Sequence, residues 1–357
     1  MENNMHTPNE DLLSIENMKA FILPHYNLQF ADVTMVKFKD TDKQRAVYRI
    51  DYKNESYCLK KVYYDESNLL YVYSAMEWLY RNDLNVPKLL STNINHRYIS
   101  YMNMLFILTP WVNGVKCDFD SEDHMKLSSR ALAKLHKASK NFVPISGSCQ
   151  RIGCDDYNIS VNKHLEQILT SAKKAKHHND KFSKIFLNNL HNNLDLARLS
   201  SKISSTINCS ELSKSLCHGD YVNKNILIDD SKVWIIDFDK CKMDYSAHDI
   251  SYFLRRLLKR DNTNWDINLT LTIIDEYTKV NNLTSSDLKY ILAYIAFPQK
   301  FWKISRDYYK NIKRCNKTAF ISLLEKGLDR TDYQLRFIKE MMIILEKDYG
   351  VDFNTKQ

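Results

Sequence analysis

Between Leu216 and Asp239 the chain reads LCHGDYVNKNILIDDSKVWIIDFD, and this stretch does most to limit what the whole can fold into. His218-Gly219-Asp220 opens it. Asn225 follows five residues after Asp220, and two apolar runs, Ile226–Ile228 and Val233–Ile236, flank the polar Asp229-Asp230-Ser231. Runs of this kind around such a turn predict a β-hairpin, with Asp220 and Asn225 ahead of its first strand and Asp237 just past its second. That arrangement would bring two carboxylates and an amide oxygen to one end of a small sheet. All three are hard oxygen donors, suited to Mg²⁺ rather than to a soft metal. The spacing also suits phosphoryl transfer, in which Asp220 takes the proton of an attacking hydroxyl while Asn225 and Asp237 hold the ions that neutralise the phosphates. The alternative, a plain hairpin that happens to carry these groups, needs HGDxxxxN and a strand ending in Asp 17 residues after Asp220 to coincide by accident.

At 357 residues the chain exceeds a usual single domain, so two lobes or domains are expected. A hydrophobic content of 44% and a charged content of 26% are those of a soluble globular protein, and only six glycines and six prolines predict few tight turns and much helix. The net charge of +8 is spread through every segment, with no basic stripe interleaved with aromatics. A nucleic-acid partner is therefore not expected, although an anionic nucleotide would feel the field. The start, MENNMHTPNEDLL, is polar and acidic, and no apolar run approaches membrane-spanning length. The expectation is a cytoplasmic protein with no membrane span. Eight cysteines without a CxxC pair exclude zinc spacing and predict reduced thiols.

Along the chain, residues 11–23 predict an amphipathic helix carrying Leu12, Leu13, Ile15, Met18 and Phe21 and ending before Pro24. The period then changes. Thr34–Phe38, Ala46–Tyr52 and Ser56–Val62 predict an antiparallel meander joined by KDTDKQR and KNE. Lys60 and Lys61 fall in the third strand and point to opposite faces. Asp65–Ser67 is a cap signal for a helix reaching Arg81, which contains Glu77. A strand lysine and a carboxylate on the following helix can pair across the sheet face, presenting the lysine to the α- and β-phosphates of a nucleotide. Alone, either residue reads as a solvated surface charge; the company of Asp220, Asn225 and Asp237 reverses that. Lys60 is preferred because C-L-K fits the V-A-I-K strand pattern.

Further strands are expected near Lys88–Leu90, at Tyr98–Tyr101 and at Leu105–Thr109. Pro110–Gly114 is the candidate hinge, its backbone the natural partner of an adenine edge or else a simple turn. Helices follow at Ser121–Ser139, His164–Lys176, Phe182–Ile203, from Ala247 through Leu258, and over 267–280, 285–315 and 331–347. His136 reads as a core histidine and His177-His178 as exposed. Asp249 is expected to cap its helix or to accept hydrogen bonds from the catalytic loop's backbone, and the aromatics of Phe297-Pro298-Gln299-Lys300-Phe301-Trp302 to be core.

HGDxxxxN followed by IIDFD resembles the aminoglycoside phosphotransferase and choline kinase branch of the protein-kinase-like fold. ALAKLHKAS at 131–139, CHGDYVNKNIL at 217–227, HDISYFLRRLLK at 248–259 and AFPQKFWK at 296–303 are similar, more narrowly, to CotS-type spore coat proteins. The resemblance implies an α+β, bilobal fold: an N-terminal antiparallel sheet lobe with one helix over 1–109, a hinge at 110–114, and a larger, mostly helical lobe over 115–357. It also implies ATP and Mg²⁺ as cofactors, Asp220 as catalytic base, Asn225 and Asp237 as metal ligands, Lys60 with Glu77 on the phosphates, and the backbone of Thr109, Trp111 and Val112 at adenine. Its partners would be an unidentified hydroxyl acceptor and other coat proteins, and its station first the mother cell and then the spore coat.

One departure stands out. The turn between the first two strands, KFKDTDKQRAV, has no glycine, although a phosphate-covering loop relies on glycines for close backbone approach. Two readings therefore stand, an ATP- and Mg²⁺-dependent phosphotransferase and a coat scaffold that keeps the kinase fold.

Overall fold

Alternating burial along Arg45–Tyr52 is what a sheet with one covered face requires, and it organises the first part of the chain. The computed structural model describes residues 12–39, 45–230 and 232–354. Five antiparallel strands, β1 (Asp32–Lys39), β2 (Arg45–Tyr52), β3 (Glu55–Lys61), β4 (Ile99–Tyr101) and β5 (Met104–Pro110), lie in the order β1-β2-β3-β5-β4. The glycine-free turn over 40–44 lies outside the described residues. Tyr48, Ile50, Leu59, Phe106 and Leu108 pack with Leu13, Met18, Ile22 and Leu23 in one core. The segment that supplies the latter four is not the single helix expected. It runs as α-helix (Ile15–Asn17), π-helix (Met18–Ile22) and 3₁₀-helix (Leu23–Tyr26), and Pro24 sits at the start of the last turn, where its missing N–H costs nothing. Phe21, expected on the apolar side, is 49% exposed and stacks on Tyr101.

Helix α1 (Glu66–Arg81) begins at the Asp65 cap, whose carboxylate accepts from Asn68 N at 2.9 Å. The strand expected near Lys88–Leu90 is reduced to one bridge between Leu90 and Leu108, because Pro87 has no donor to extend a ladder. The central hairpin forms as expected, β8 (Ile226–Asp229) against β9 (Lys232–Ile235). It gains a third, unexpected strand, β6 (Val115–Lys116).

Two compact units emerge, and neither is one continuous stretch. The first is Met1–Cys117 with Asn141–Arg151 and Asn223–Cys241; the second is Asp118–Lys140 with Ile152–Val222 and Lys242–Gln357. The expected division at 110–114 follows the chain, whereas these units follow contacts. The second unit holds the ribbon β7 (Lys214–Cys217) with β10 (Lys242–Tyr245), and the helices α2 (Glu122–Ala138), α3 (Tyr157–His178), α4 (Lys181–Asn188), α5 (Leu190–Ser204), α6 (Ser246–Leu258), α7 (Ile267–Thr278), α8 (Ser285–Ala296), α9 (Gln299–Lys310), α10 (Lys317–Leu328) and α11 (Thr331–Tyr349). The expected Phe182–Ile203 helix divides at Asn189, and the run over 285–315 breaks at Pro298. Helix α10 had no counterpart in the sequence reading. Phe297, Phe301 and Trp302 are core, while His177 and His178 are exposed. All eight cysteines are free. Among the described residues no helix is long and apolar enough to cross a membrane.

Candidate active site

In the first unit, the period of β3 decides which lysine meets the hairpin. Leu59 and Lys61 are buried and share one face by alternation, so Lys60 takes the other. Lys60 Nζ donates to Asp237 Oδ1 at 2.7 Å and to Asp239 Oδ1 at 2.6 Å. Burial works to lower the pKa of this ammonium. Asp239 and Asp237 together outweigh burial and hold it above the ordinary lysine range.

Asp237 follows β9 with φ 67° and ψ 63°, a left-handed conformation uncommon for a residue with a β-carbon. Asn225 precedes β8, is buried, and accepts Ile236 N–H on its carbonyl at 3.0 Å. Both residues therefore leave the same end of the ribbon, as expected. Asn85 O, from the loop beyond α1, accepts Ile235 N–H at 3.0 Å and fixes β9 from its other side.

The expected Lys60–Glu77 pair does not form. Glu77 binds Arg81, four residues on, with its Oε1 2.7 Å from Nε. The reason is helical phase: Leu69, Val72, Met76 and Leu79 form the buried stripe of α1, and Glu77 falls on its flank. Asp239 fills the place assigned to Glu77. Its Oδ1 also accepts from Tyr64 OH at 3.2 Å, and its carbonyl accepts from Arg151 Nη1 at 2.8 Å. Its Oδ2 is buried without a hydrogen bond among the described residues, with Arg45 Nη1 3.8 Å away. The second Asp of IIDFD was a visible signal for this role. Arg151 had none, since its partners are distant in sequence.

At the expected adenine segment, Thr109 is buried opposite Cys58 in the β3–β5 ladder. Trp111 N–H donates to Ser56 O at 2.8 Å, which commits this donor to the sheet. Val112 follows, half-buried.

In the second unit, Asp249 holds the loop that carries Asp220. Its carboxylate accepts His218 N–H at 2.5 Å and Gly219 N–H at 3.0 Å, the backbone role anticipated for it. Burial would raise the pKa of Asp249, but its hydrogen bond with His136 and the charges of nearby histidines win, and the group stays below its ordinary range. Gly219 sits at φ 73°, where a β-carbon would be strained. Asp220 N–H donates to His218 Nδ1 at 3.2 Å, and Asp220 Oδ1 accepts from Tyr252 OH at 3.4 Å. Arg256 donates to that hydroxyl at 2.6 Å.

His136 is fully buried and bonds Tyr277 OH at 2.8 Å, as a core histidine should. It converges with Cys217 and Asp249 to within 4.8 Å. Burial pushes the Cys217 thiol pKa up, and the thiol donates to Tyr245 O at 3.4 Å, while His136 Nε2 lies 3.5 Å from Asp249 Oδ2.

Residues 38–280 match the model of the phosphotransferase enzyme family. Among solved structures, an aminoglycoside phosphotransferase from Alicyclobacillus acidocaldarius is similar at 18% identity and TM-score 0.72, over 91% of this chain and 95% of that one. Spectinomycin phosphotransferase APH(9)-Ia, in complex with ADP and spectinomycin, is similar at 17% identity and TM-score 0.63, over 91% and 97%. Amicoumacin kinase hAmiN, in complex with AMP-PNP, Ca²⁺ and Ami, is similar at 13% identity and TM-score 0.57, over 88% and 90%. The fold is protein-kinase-like, with an N-terminal antiparallel sheet and a larger helical C-terminal part.

Proposed function

We propose, for a chain that belongs to the phosphotransferase enzyme family, transfer of the γ-phosphoryl group of ATP to a hydroxyl of a small molecule or of a coat component. The observation that carries this reading is the bridge from Lys60 to Asp237 and Asp239. It joins the lysine suited to nucleotide phosphates with the acid suited to their cation. ADP in one structural neighbour, and AMP-PNP with Ca²⁺ in another, support it.

Asp220 acts as base. The hydroxyl oxygen bonds to the γ-phosphorus, its proton passes to Asp220, and the bond to the bridging oxygen breaks to release ADP. Asn225 and Asp237 are oxygen donors of the kind Mg²⁺ takes, and Asp239 Oδ2, without a hydrogen bond among the described residues, is a further oxygen in the same set. Such an ion, when bound, neutralises charge on the phosphates. Lys60 holds the α- and β-phosphates. The purine edge falls to the backbone of Thr109, Trp111 and Val112, Trp111 through its carbonyl because its N–H is engaged.

The spore coat is proposed as the place of action on the CotS-type stretches alone, and recovery of the protein in coat extracts of purified spores tests it. A second reading, a coat scaffold with little turnover, is favoured by the absence of glycine from residues 37–47. Thermal unfolding separates the two. A rise in Tm with ATP that needs Mg²⁺ and is lost in Asp237→Ala supports a working site; no shift at millimolar ATP favours the scaffold.

A further inference from the structure

A second ligand site is indicated within the second unit alone. Lys259 closes α6, Lys300 lies on α9 and Lys326 on α10, and all three line one pocket of about 210 Å³. None of the three side chains makes a hydrogen bond or an ion pair among the described residues. The fourth cation, Arg330, is already matched: it pairs with Asp261 and lies 3.9 Å from Asp329. The lining therefore holds Lys259, Lys300, Lys326 and Arg330 against Asp261 and Asp329, four positive charges less two negative, a balance of +2 when all are ionised. Trp265 also lines the pocket. It is 5% exposed, is held at φ 62°, and its indole N–H has no hydrogen-bond partner among the described residues. Beside it, α11 starts at Thr331 without a side-chain cap, leaving first-turn N–H groups in need of acceptors.

We propose that this pocket binds a phosphate dianion, free or carried as a monoester, through Lys259, Lys300 and Lys326. Three lysines without carboxylates, an unused indole donor and an uncapped helix start all need the same thing, an acceptor of negative charge. Desolvation, reinforced by Arg255 and Lys300, brings the Lys259 pKa down to about 7. A bound dianion would reverse that shift, so binding takes up a proton where the free lysine is largely neutral. The proposal is independent of the ATP reading and survives its failure.

Titration calorimetry of the full chain with inorganic phosphate, and separately with glycerol phosphate, tests it at about pH 8 in two buffers of different ionisation enthalpy. The expected result is saturable binding with up to about one proton taken up per anion. Affinity should fall about tenfold in Lys259→Met and again in Lys300→Met, the worth of one charge-assisted hydrogen bond each. Proton uptake should vanish in Lys259→Met, while Lys60→Met binds phosphate as the native protein does. Exposed Lys326→Ala serves as a further variant that leaves the core untouched. Tighter binding of the ester than of the free ion identifies a carried phosphate, and equal binding the free ion. No binding at millimolar phosphate, or binding indifferent to Lys259→Met and Lys326→Ala, or binding lost in Lys60→Met, overturns the proposal.

Discussion

Asp237 concentrates the local cost of the site. A left-handed backbone at a residue with a β-carbon costs about 1–3 kcal/mol, and here the ion pair with Lys60 and the β9 ladder hold it in place. Lys60→Met leaves the buried Asp239 without its ammonium. The expected destabilisation is about 2–3 kcal/mol in chemical denaturation, below the usual cost of breaking a buried pair because the Lys60 side chain is 17% exposed. The Lys60 pKa is raised on folding, so this contribution is complete below the ordinary lysine range and is lost as pH rises through the higher folded value. The difference between native protein and Lys60→Met should therefore be constant across neutral pH. Asp220→Asn should lower kcat about 10²–10⁴-fold and leave the Mg²⁺-dependent nucleotide shift in Tm intact. If turnover is unchanged, Asp220 is not the base. Tyr252→Phe removes the hydroxyl that contacts Asp220, and should lower kcat rather than raise KM.

Among elements, the contact of α2 with α7 is tied by Glu276, which receives Arg130 and Lys279. Those hydrogen bonds lower the Glu276 pKa to about 2. The carboxylate is buried while Arg130 and Lys279 are largely exposed, so solvent screening reduces the benefit to about 1–2 kcal/mol. A depressed carboxylate stabilises above its unfolded pKa and loses that effect as pH falls through the folded value. Glu276→Gln should therefore be less stable than the native protein at neutral pH, and the gap should close as pH approaches 2. The chain passes β10 closely at Gly153, whose N–H donates to Met243 O at 2.7 Å: a β-carbon there would lie 2.5 Å from Asp244 Cγ. Asp244 is buried and held by Lys242 at 2.7 Å and His248 at 2.8 Å, so it cannot easily give way. Gly153→Ala should lower stability by about 1–3 kcal/mol, read as a fall in Tm.

At the scale of the whole molecule, the first compact unit depends on residues from the middle of the chain. β6 pairs with β8, and Lys60 with Asp237 and Asp239, partners that all lie within Asn223–Cys241. A fragment ending at Cys117 lacks these partners. It should expose unpaired strand edges and aggregate, whereas the full chain gives a cooperative transition; a soluble fragment with dispersed amide resonances would contradict this. Ligand linkage also acts on the whole: nucleotide at a hundred times its Kd should add about 2.7 kcal/mol to stability.

Much of this was legible in local sequence. The hairpin over Ile226–Ile235, the meander of β1 to β3, the Asp65 cap and the core role of His136 follow from period, turn chemistry and capping, which act over a few residues. The family followed from HGDxxxxN and IIDFD, where polar spacing is itself the chemistry. What only tertiary structure decided were matches between residues far apart: Asp239 rather than Glu77 on Lys60, Arg151 on the Asp239 carbonyl, the two-residue strand β6 and the lysines gathered from three helices. None of these has a periodic or local signature. Each arises because burial and charge are settled by whichever groups the folded chain brings within a few ångströms, and helical phase, not sequence distance, put Glu77 out of reach.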